Sequence, residues 1–129
     1  MTDADGVARS LKDRSAILID ARASERYRGE VEPIDAVAGH IPGARSAPWA
    51  GNLDPETGRF LSPDDLRVRF ERIGAGGRPV IASCGSGTTA CHDVLALQLA
   101  GLGPTILYEG SWSDWSSDPS RPVATGYDP

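Results

Sequence analysis

The chain has 129 residues, of which 40% are hydrophobic, and its formal net charge at pH 7 is −5. This length predicts one domain with a substantial core, and the acidic balance with scattered arginines argues against a nucleic-acid partner. No apolar run is long enough to cross a membrane, and the polar start MTDADGVARS resembles neither a signal nor a transit peptide. We therefore expect no membrane partner and a cytoplasmic location.

Cys84 and Cys91 are the only cysteines of the chain. Two cysteines in a small domain of this composition do not suggest a disulfide framework. Because Cys91 falls in the first turns of a predicted helix, a bridge would require that turn to unwind, and we expect two free thiols. The two histidines lie far apart and no paired cysteine motif occurs, so we expect neither a metal site nor a cofactor.

Apolar and polar patterning in the first half of the chain predicts short strands separated by loops and helices. Residues 1–14 form a linker or an N-terminal helix, and residues 15–20 (SAILID) have the pattern of a buried strand. A loop with a short helical turn is expected over residues 21–29, and a short strand near residues 45–47. Ser62 is predicted to cap a helix that begins with proline and two acids.

The second half of the chain repeats the strand–helix order. Residues 79–82 (PVIA) predict a central strand, apolar residues from position 90 keep a helical spacing, and residues 105–108 predict a further strand. The tail from Ser116 is rich in Ser, Pro and Gly and predicts no regular structure. Strands alternating with helices indicate an α/β fold, with a central, mostly parallel sheet covered by helices on both faces.

A glycine-rich loop follows Cys84, at the point where the predicted central strand ends. Its members are Gly85, Ser86, Gly87, Thr88 and Thr89. Two glycines let the backbone curl so that several N–H groups point at the thiol, at the positive end of the next helix. Such a setting lowers the pKa of a cysteine and favours a nucleophile. Position alone fits a small buried core cysteine equally well; the loop and the helix favour chemistry.

Four segments together resemble the rhodanese superfamily, and within it the catalytic C-terminal domain of two-domain sulfurtransferases. In chain order they are residues 20–29 (DARASERYRG), 39–44 (GHIPGA), 84–90 (CGSGTTA) and 110–115 (GSWSDW). The resemblance implies a rhodanese-like catalytic domain over residues 15–126, with a persulfide-forming Cys84. It also implies that Arg26 and the loop residues 85–89 bind substrate.

The implied reaction moves a sulfane sulfur from thiosulfate or 3-mercaptopyruvate, through a persulfide on Cys84, to cyanide, a small thiol or thioredoxin. The Gly-Ser-Gly loop is similar to that of 3-mercaptopyruvate sulfurtransferases, in which the serine matching Ser86 polarises the thiol or the donor sulfur. Those enzymes hold the substrate with two arginines. Arg26 matches the first, but Ile34 stands at the place of the second, and Arg22 or Arg28 would have to compensate.

Thr88 replaces the valine that is usual in the family, whereas Thr89 matches the family's threonine and is expected to cap the next helix. Structural roles are expected for Asp20 and Arg22 in the loop after the first strand, for His40 within its turn, and for a solvated His92. Trp112 and Trp115 either wall the pocket or pack in the core.

Other interpretations remain beside the enzyme. In two-domain relatives an N-terminal rhodanese-like domain packs over the active loop, so such a domain is a candidate partner. A catalytically silent rhodanese-like binding or regulatory module is the alternative function. A phosphatase is disfavoured because Ala90 stands where an arginine would hold phosphate oxygens. The loop also resembles that of amino-group DNA methyltransferases, but their second motif is absent.

Overall fold

The structure is a computed structural model that describes residues 1–129. Ten elements follow one another in an α/β order. They are α1 (Ala4–Asp13), β1 (Ile17–Asp20), α2 (Ser24–Arg28), β2 (Arg45–Ser46), a 3₁₀ helix (Trp49–Asn52), α3 (Pro63–Ile73), β3 (Val80–Ser83), α4 (Ala90–Leu99), β4 (Thr105–Leu107) and α5 (Ser111–Ser117).

The four strands form one sheet in the order β2-β1-β3-β4, and every neighbouring pair is parallel. The two central strands are buried along their whole length, as the continuous apolar run of β1 predicts. The predicted α/β fold is therefore confirmed, and the sheet is entirely parallel. Parallel strands place all their carboxyl ends on one edge, where open α/β sheets bind their ligands.

Successive side chains of β1 point to opposite faces of the sheet, and each face is covered. Ile17 and Ile19 belong to a buried cluster with residues of α3 and α4, including Leu66 and Phe70. Leu18 belongs to a second cluster with Val7 of α1, Trp112 of α5 and Tyr108, which follows β4. Helices thus lie on both faces, as the strand–helix alternation predicts.

Residues 1–14 pack on the domain as a helix. Asp3 caps α1 by accepting a hydrogen bond from the Gly6 N–H at 2.8 Å, and Val7 is completely buried. Thr2 pairs with Tyr108 beside the last strand. Of the two alternatives for this segment, the structure has the helix.

Helix α5 has no counterpart among the predicted elements, because its sequence SWSDWSS lacks an apolar period. Its two tryptophans, Trp112 and Trp115, anchor the helix on the domain, because both are buried in the core. Neither of them lines a cleft. The indole N–H of each donates to a backbone carbonyl at 2.9 Å, which satisfies a buried tryptophan.

Buried polar residues hold the loops around the sheet. Arg22 forms an ion pair with Asp20 at 2.7 Å, and His40 stacks on Tyr27 with its Nδ1 2.7 Å from the Tyr27 carbonyl oxygen. These contacts agree with the structural roles expected for Asp20, Arg22 and His40. His92 differs from expectation, because it packs against aromatic rings of the 3₁₀ helix and its following loop and is only partly exposed. None of the helices is both long and apolar enough to cross a lipid bilayer.

Candidate active site

Cys84 is the first residue after β3, at the carboxyl edge of the parallel sheet. It is only 1% exposed, and its backbone N–H donates to the Ser111 hydroxyl oxygen at 2.9 Å. Cys91 lies in the first turn of α4 and is exposed, and neither thiol forms a disulfide. The prediction of two free thiols is confirmed.

The loop after Cys84 surrounds its sulfur with hydrogen-bond donors. The Gly87 N–H donates to Cys84 Sγ at 2.9 Å. Burial by itself would raise the pKa of the Cys84 thiol. Hydrogen bonds from the Thr89 hydroxyl and from the N–H groups of Ala90, Gly87 and Ser86 outweigh burial, so the pKa lies below its ordinary value. One N–H group of the predicted cradle, that of Gly87, is thus within hydrogen-bond distance of the sulfur.

No other residue type fits at the position of Gly87 in the loop around the Cys84 sulfur. Its φ of +96° lies in the left-handed region that side chains disfavour, and a Cβ here would stand 2.4 Å from the carbonyl oxygen of Glu109. Because of this close approach, the turn can aim the Gly87 N–H at the sulfur only if no side chain is present.

Thr89 does not cap α4 in the expected way. It occupies the residue before the helix, but its backbone is already helical and its hydroxyl makes no capping bond. Instead, that hydroxyl acts on the Cys84 sulfur and lowers the pKa of the thiol. The prediction of a capping side chain is wrong because the backbone of Thr89 is already helical, whereas a capping residue has an extended backbone that lets its side-chain oxygen accept an N–H of the first turn.

A cleft of about 220 Å³ opens above Cys84. Its lining residues are Arg26, Ile34, Asp35, Cys84, Gly85, Ser86, Thr88, Thr89 and Ser113. All site residues predicted from the sequence line this cleft except Gly87, whose N–H contacts the sulfur from within the loop. The structure thus brings the predicted set together around one thiol.

Arg26 supplies the positive charge of this cleft. Its Nη2 lies 3.2 Å from Glu32 Oε2 and 4.0 Å from Asp35 Oδ2, and its buried Nε makes no hydrogen bond within the protein. The glycine at position 85 matters here, since a Cβ on it would stand 3.3 Å from Arg26 Nη2. Arg26 is therefore held by acids through Nη2, while its Nη1 makes no hydrogen bond within the protein.

Neither proposed substitute for the second arginine reaches the cleft. Arg22 is buried and is engaged by Asp20, by Glu32 and by the Gly39 carbonyl oxygen. Arg28 pairs with Glu30 and lies over the Tyr127 ring. The expectation that Arg22 or Arg28 compensates for Ile34 is wrong, because each is committed to another partner.

Four residues of the site escaped the sequence analysis. Glu32 accepts the N–H groups of Ile34 and Asp35 at 3.1 and 3.0 Å, and so shapes the cleft wall. Ser113 donates to Asp35 Oδ1 at 2.8 Å, and Ser111 holds the backbone of Cys84. The GSWSDW segment marks Ser111 and Ser113 as candidates for the site. Its residue spacing, however, does not indicate that the first turn of α5 packs against the loop after Cys84. No group of three or more His, Cys, Asp or Glu side chains is placed to hold a metal ion.

The fold and the cysteine loop define a rhodanese-type domain, and comparison with known proteins agrees. The model of the rhodanese-like domain family matches residues 3–118, so the chain belongs to the rhodanese family. A Pseudomonas aeruginosa protein named probable 3-mercaptopyruvate sulfurtransferase is 54% identical over an alignment of 129 positions that covers 98% of this chain and 45% of that protein.

Two further comparisons extend this result. A Mycobacterium tuberculosis protein, provisionally named thiosulfate sulfurtransferase SseB, is 50% identical over 111 residues, which are 84% of this chain and 38% of that protein. The crystal structure of Tum1 from Saccharomyces cerevisiae superposes with a TM-score of 0.82 and 29% identity, over 97% of this chain and 46% of that one. The chain thus spans less than half the length of the curated relatives it matches.

Proposed function

We propose that this chain is a sulfurtransferase that carries sulfane sulfur as a persulfide on Cys84. The observation that carries the proposal is the buried Cys84 sulfur at the floor of a cleft, which accepts a hydrogen bond from the Gly87 N–H at 2.9 Å and whose pKa the surrounding loop lowers against the effect of burial. Donors fixed around a sulfur stabilise an anion on it without a counter-ion. The names of the relatives support the same class of reaction.

In the first half-reaction the Cys84 thiolate attacks the outer sulfur of the donor. With thiosulfate, the S–S bond of the donor breaks and sulfite leaves with the electron pair. With 3-mercaptopyruvate, the C–S bond breaks, pyruvate leaves, and the thiol proton of the donor ends on its methyl carbon. In both cases Cys84 carries a persulfide anion, which the loop N–H groups hold.

In the second half-reaction a nucleophilic acceptor takes the outer sulfur. Cyanide becomes thiocyanate and leaves the Cys84 thiolate free, whereas a small thiol or a reduced thioredoxin becomes a persulfide in its place. The enzyme alternates between two covalent states, so ping-pong kinetics are expected. No cofactor takes part in either step.

Arg26 is the residue we assign to the anionic part of the donor. Arginine binds carboxylate and sulfonate-like oxygens with two parallel hydrogen bonds, and Nη1 of Arg26, beside Gly85, makes no hydrogen bond within the protein. Ser86, Thr88 and Thr89 line the same cleft and face the donor with hydroxyl groups. Ile34 lines it too, 74% exposed, so one wall offers an apolar side chain where the mercaptopyruvate enzymes have their second arginine.

We further propose that residues 15–126 form the catalytic domain. An N-terminal rhodanese-like domain is the candidate partner, since the relatives are more than twice as long as this chain. The two free thiols suit a reducing compartment such as the cytoplasm.

The test is turnover with each donor in the presence of cyanide or a small thiol. Pyruvate release reports 3-mercaptopyruvate, and sulfite release reports thiosulfate. Cys84→Ser is expected to abolish release beyond the background, while Cys91→Ser, its matched control, is expected to keep it. Full activity in Cys84→Ser would overturn the proposal, and a wild-type chain without turnover would favour the silent binding module.

A further inference from the structure

A second cleft lies at the amino ends of the strands, on the edge of the sheet opposite to Cys84. Its volume of about 410 Å³ makes it the larger of the two clefts. The lining residues are Leu11, Arg14, Ala16, Ile17, Pro42, Gly43, Arg45, Arg78 and Pro129. None of them lines the cleft above Cys84, so the second cleft is a separate feature, here called the arginine cleft.

The arginine cleft concentrates positive charge in an acidic protein. The chain has 18 acidic and 13 basic side chains, and the arginines of the Cys84 cleft and its surroundings are paired with acids. By contrast, no carboxylate lies within 4.0 Å of Arg14, Arg45 or Arg78. The one carboxylate among the lining residues is the terminal one of Pro129, and it lies more than 4.0 Å from each of these arginines. Three cations around one space repel each other, and a bound anion would relieve that repulsion.

Two of the three guanidinium groups are held by the backbone. Nη1 of Arg45 donates to the carbonyl oxygen of Ile73 at the end of α3, and Nη1 of Arg78 donates to the Arg14 carbonyl oxygen at 3.2 Å. Each bond uses one of the five N–H donors of its side chain. The remaining donors are oriented without being neutralised, which is the condition for two-pronged binding of an oxyanion.

We propose that the arginine cleft binds a multiply charged oxyanion, a phosphate or diphosphate group that is either free or part of a small phosphorylated metabolite. Guanidinium groups match the geometry of phosphate oxygens. The volume is that of a small-molecule site rather than of a single ion, and Leu11, Ile17 and Pro42 give it an apolar wall for an organic remainder. The proposal does not depend on the reaction at Cys84.

The test is a titration of the ¹⁵N-labelled protein with inorganic pyrophosphate, followed by NMR. Saturable shifts are expected for the amides of Ile17 and Gly43, with the amides of residues 85–89 unchanged. Arg45→Gln and Arg14→Gln are each expected to weaken binding about tenfold, the cost of one charge-assisted contact. The Arg14 variant keeps the test valid if Arg45→Gln fails to fold, because the Arg14 side chain makes no hydrogen bond within the protein.

Arg59→Gln is the matched control, since it removes the same charge from an exposed loop outside the cleft. The absence of saturable shifts at millimolar pyrophosphate would overturn the proposal. So would equal weakening by Arg59→Gln, which would indicate attraction by net charge alone, or shifts confined to residues 85–89. A parallel titration with adenosine diphosphate distinguishes the sources: tighter binding than pyrophosphate assigns the site to an esterified diphosphate, and weaker binding assigns it to the free anion.

Discussion

The hydroxyl oxygen of Ser111 lies 2.9 Å from the backbone nitrogen of Cys84 and accepts its hydrogen bond. The hydroxyl proton goes to the Tyr108 carbonyl oxygen at 2.8 Å, so it is not available to the Cys84 sulfur 4.0 Å away. Ser111 also has a φ of +54°, a conformation that costs a residue with a side chain about 1–3 kcal/mol. The strained backbone at the start of α5 thus places the Ser111 hydroxyl against the backbone N–H of Cys84.

Ser111→Ala should destabilise the fold and slow sulfur transfer together. The substitution leaves the buried Cys84 N–H without a partner, which costs about 1–3 kcal/mol of unfolding free energy. Urea unfolding measures this loss. Ser117→Ala is the control, because Ser117 lies on the same helix but is exposed. Equal unfolding free energies for the two variants would show that Ser111 does not support Cys84.

Thr89→Val should raise the pKa of Cys84. The Thr89 hydroxyl is the strongest of the hydrogen bonds that lower this pKa against the effect of burial. Valine keeps the shape but removes the donor, so the thiolate fraction at neutral pH falls and alkylation of Cys84 slows. The rate of alkylation of the Cys84 peptide as a function of pH measures the change.

Thr88→Val provides the matched control for Thr89→Val. Thr88 lines the same cleft, but its hydroxyl does not contribute to the lowered pKa of Cys84. This variant should keep the alkylation profile of the wild type. If both variants shift the profile equally, the hydroxyl of Thr89 has no special role in the cradle.

Ile34→Arg should improve the use of 3-mercaptopyruvate. Ile34 lines the Cys84 cleft, and a guanidinium group there would supply the second anchor for the substrate carboxylate. We expect KM for 3-mercaptopyruvate to fall about tenfold, with a smaller change in kcat. Val37→Arg adds the same charge to a nearby exposed position that does not line the cleft, and should leave KM unchanged. A wild-type KM in Ile34→Arg would contradict the assigned orientation of the donor.

Asp93→Asn should change how stability depends on pH. Burial raises the pKa of Asp93 from 3.8 to about 7, although Asn52 donates to its Oδ1 at 2.7 Å. Between these two values the unfolded chain is ionised at Asp93 and the folded chain is protonated. The unfolding free energy of the wild type therefore falls as pH rises, by about 1.4 kcal/mol per pH unit, and is level above about 7.

Asparagine keeps the acceptor for Asn52 and does not titrate, so the variant should lack this decline. Urea unfolding at several pH values tests it: the variant should gain stability over the wild type as pH rises from 4 to 7. Parallel curves for the two proteins would show that the buried carboxyl does not stay protonated in the folded state.

The strands and the cysteine loop could be read from the sequence because their signals are local. The apolar run before Cys84 and the glycines after it specify a strand, a tight turn and a helix without reference to the rest of the chain. The role of the Thr89 side chain could not be predicted in the same way. Its hydroxyl acts on the Cys84 sulfur, and only the folded loop brings the two together.

The far wall of the site depends on contacts over long sequence distances. Ser113 meets Asp35 across 78 positions, and Ser111 meets Cys84 across 27. Arg22 and Arg28 were candidates for the second arginine from their positions in the sequence, but local ion pairs with Asp20 and Glu30 hold them away from the cleft. Of these three arginines, only Arg26 lines the cleft above Cys84.

Intact-mass analysis of the reduced protein after exposure to thiosulfate or 3-mercaptopyruvate tests whether Cys84 carries the sulfur. We expect the addition of one sulfur atom, located on the peptide that contains Cys84, and its complete removal by cyanide. The preferred donor is the one that loads the sulfur faster. A protein that gains no sulfur from either donor, or gains it on Cys91, would contradict the assignment of Cys84 as the carrier.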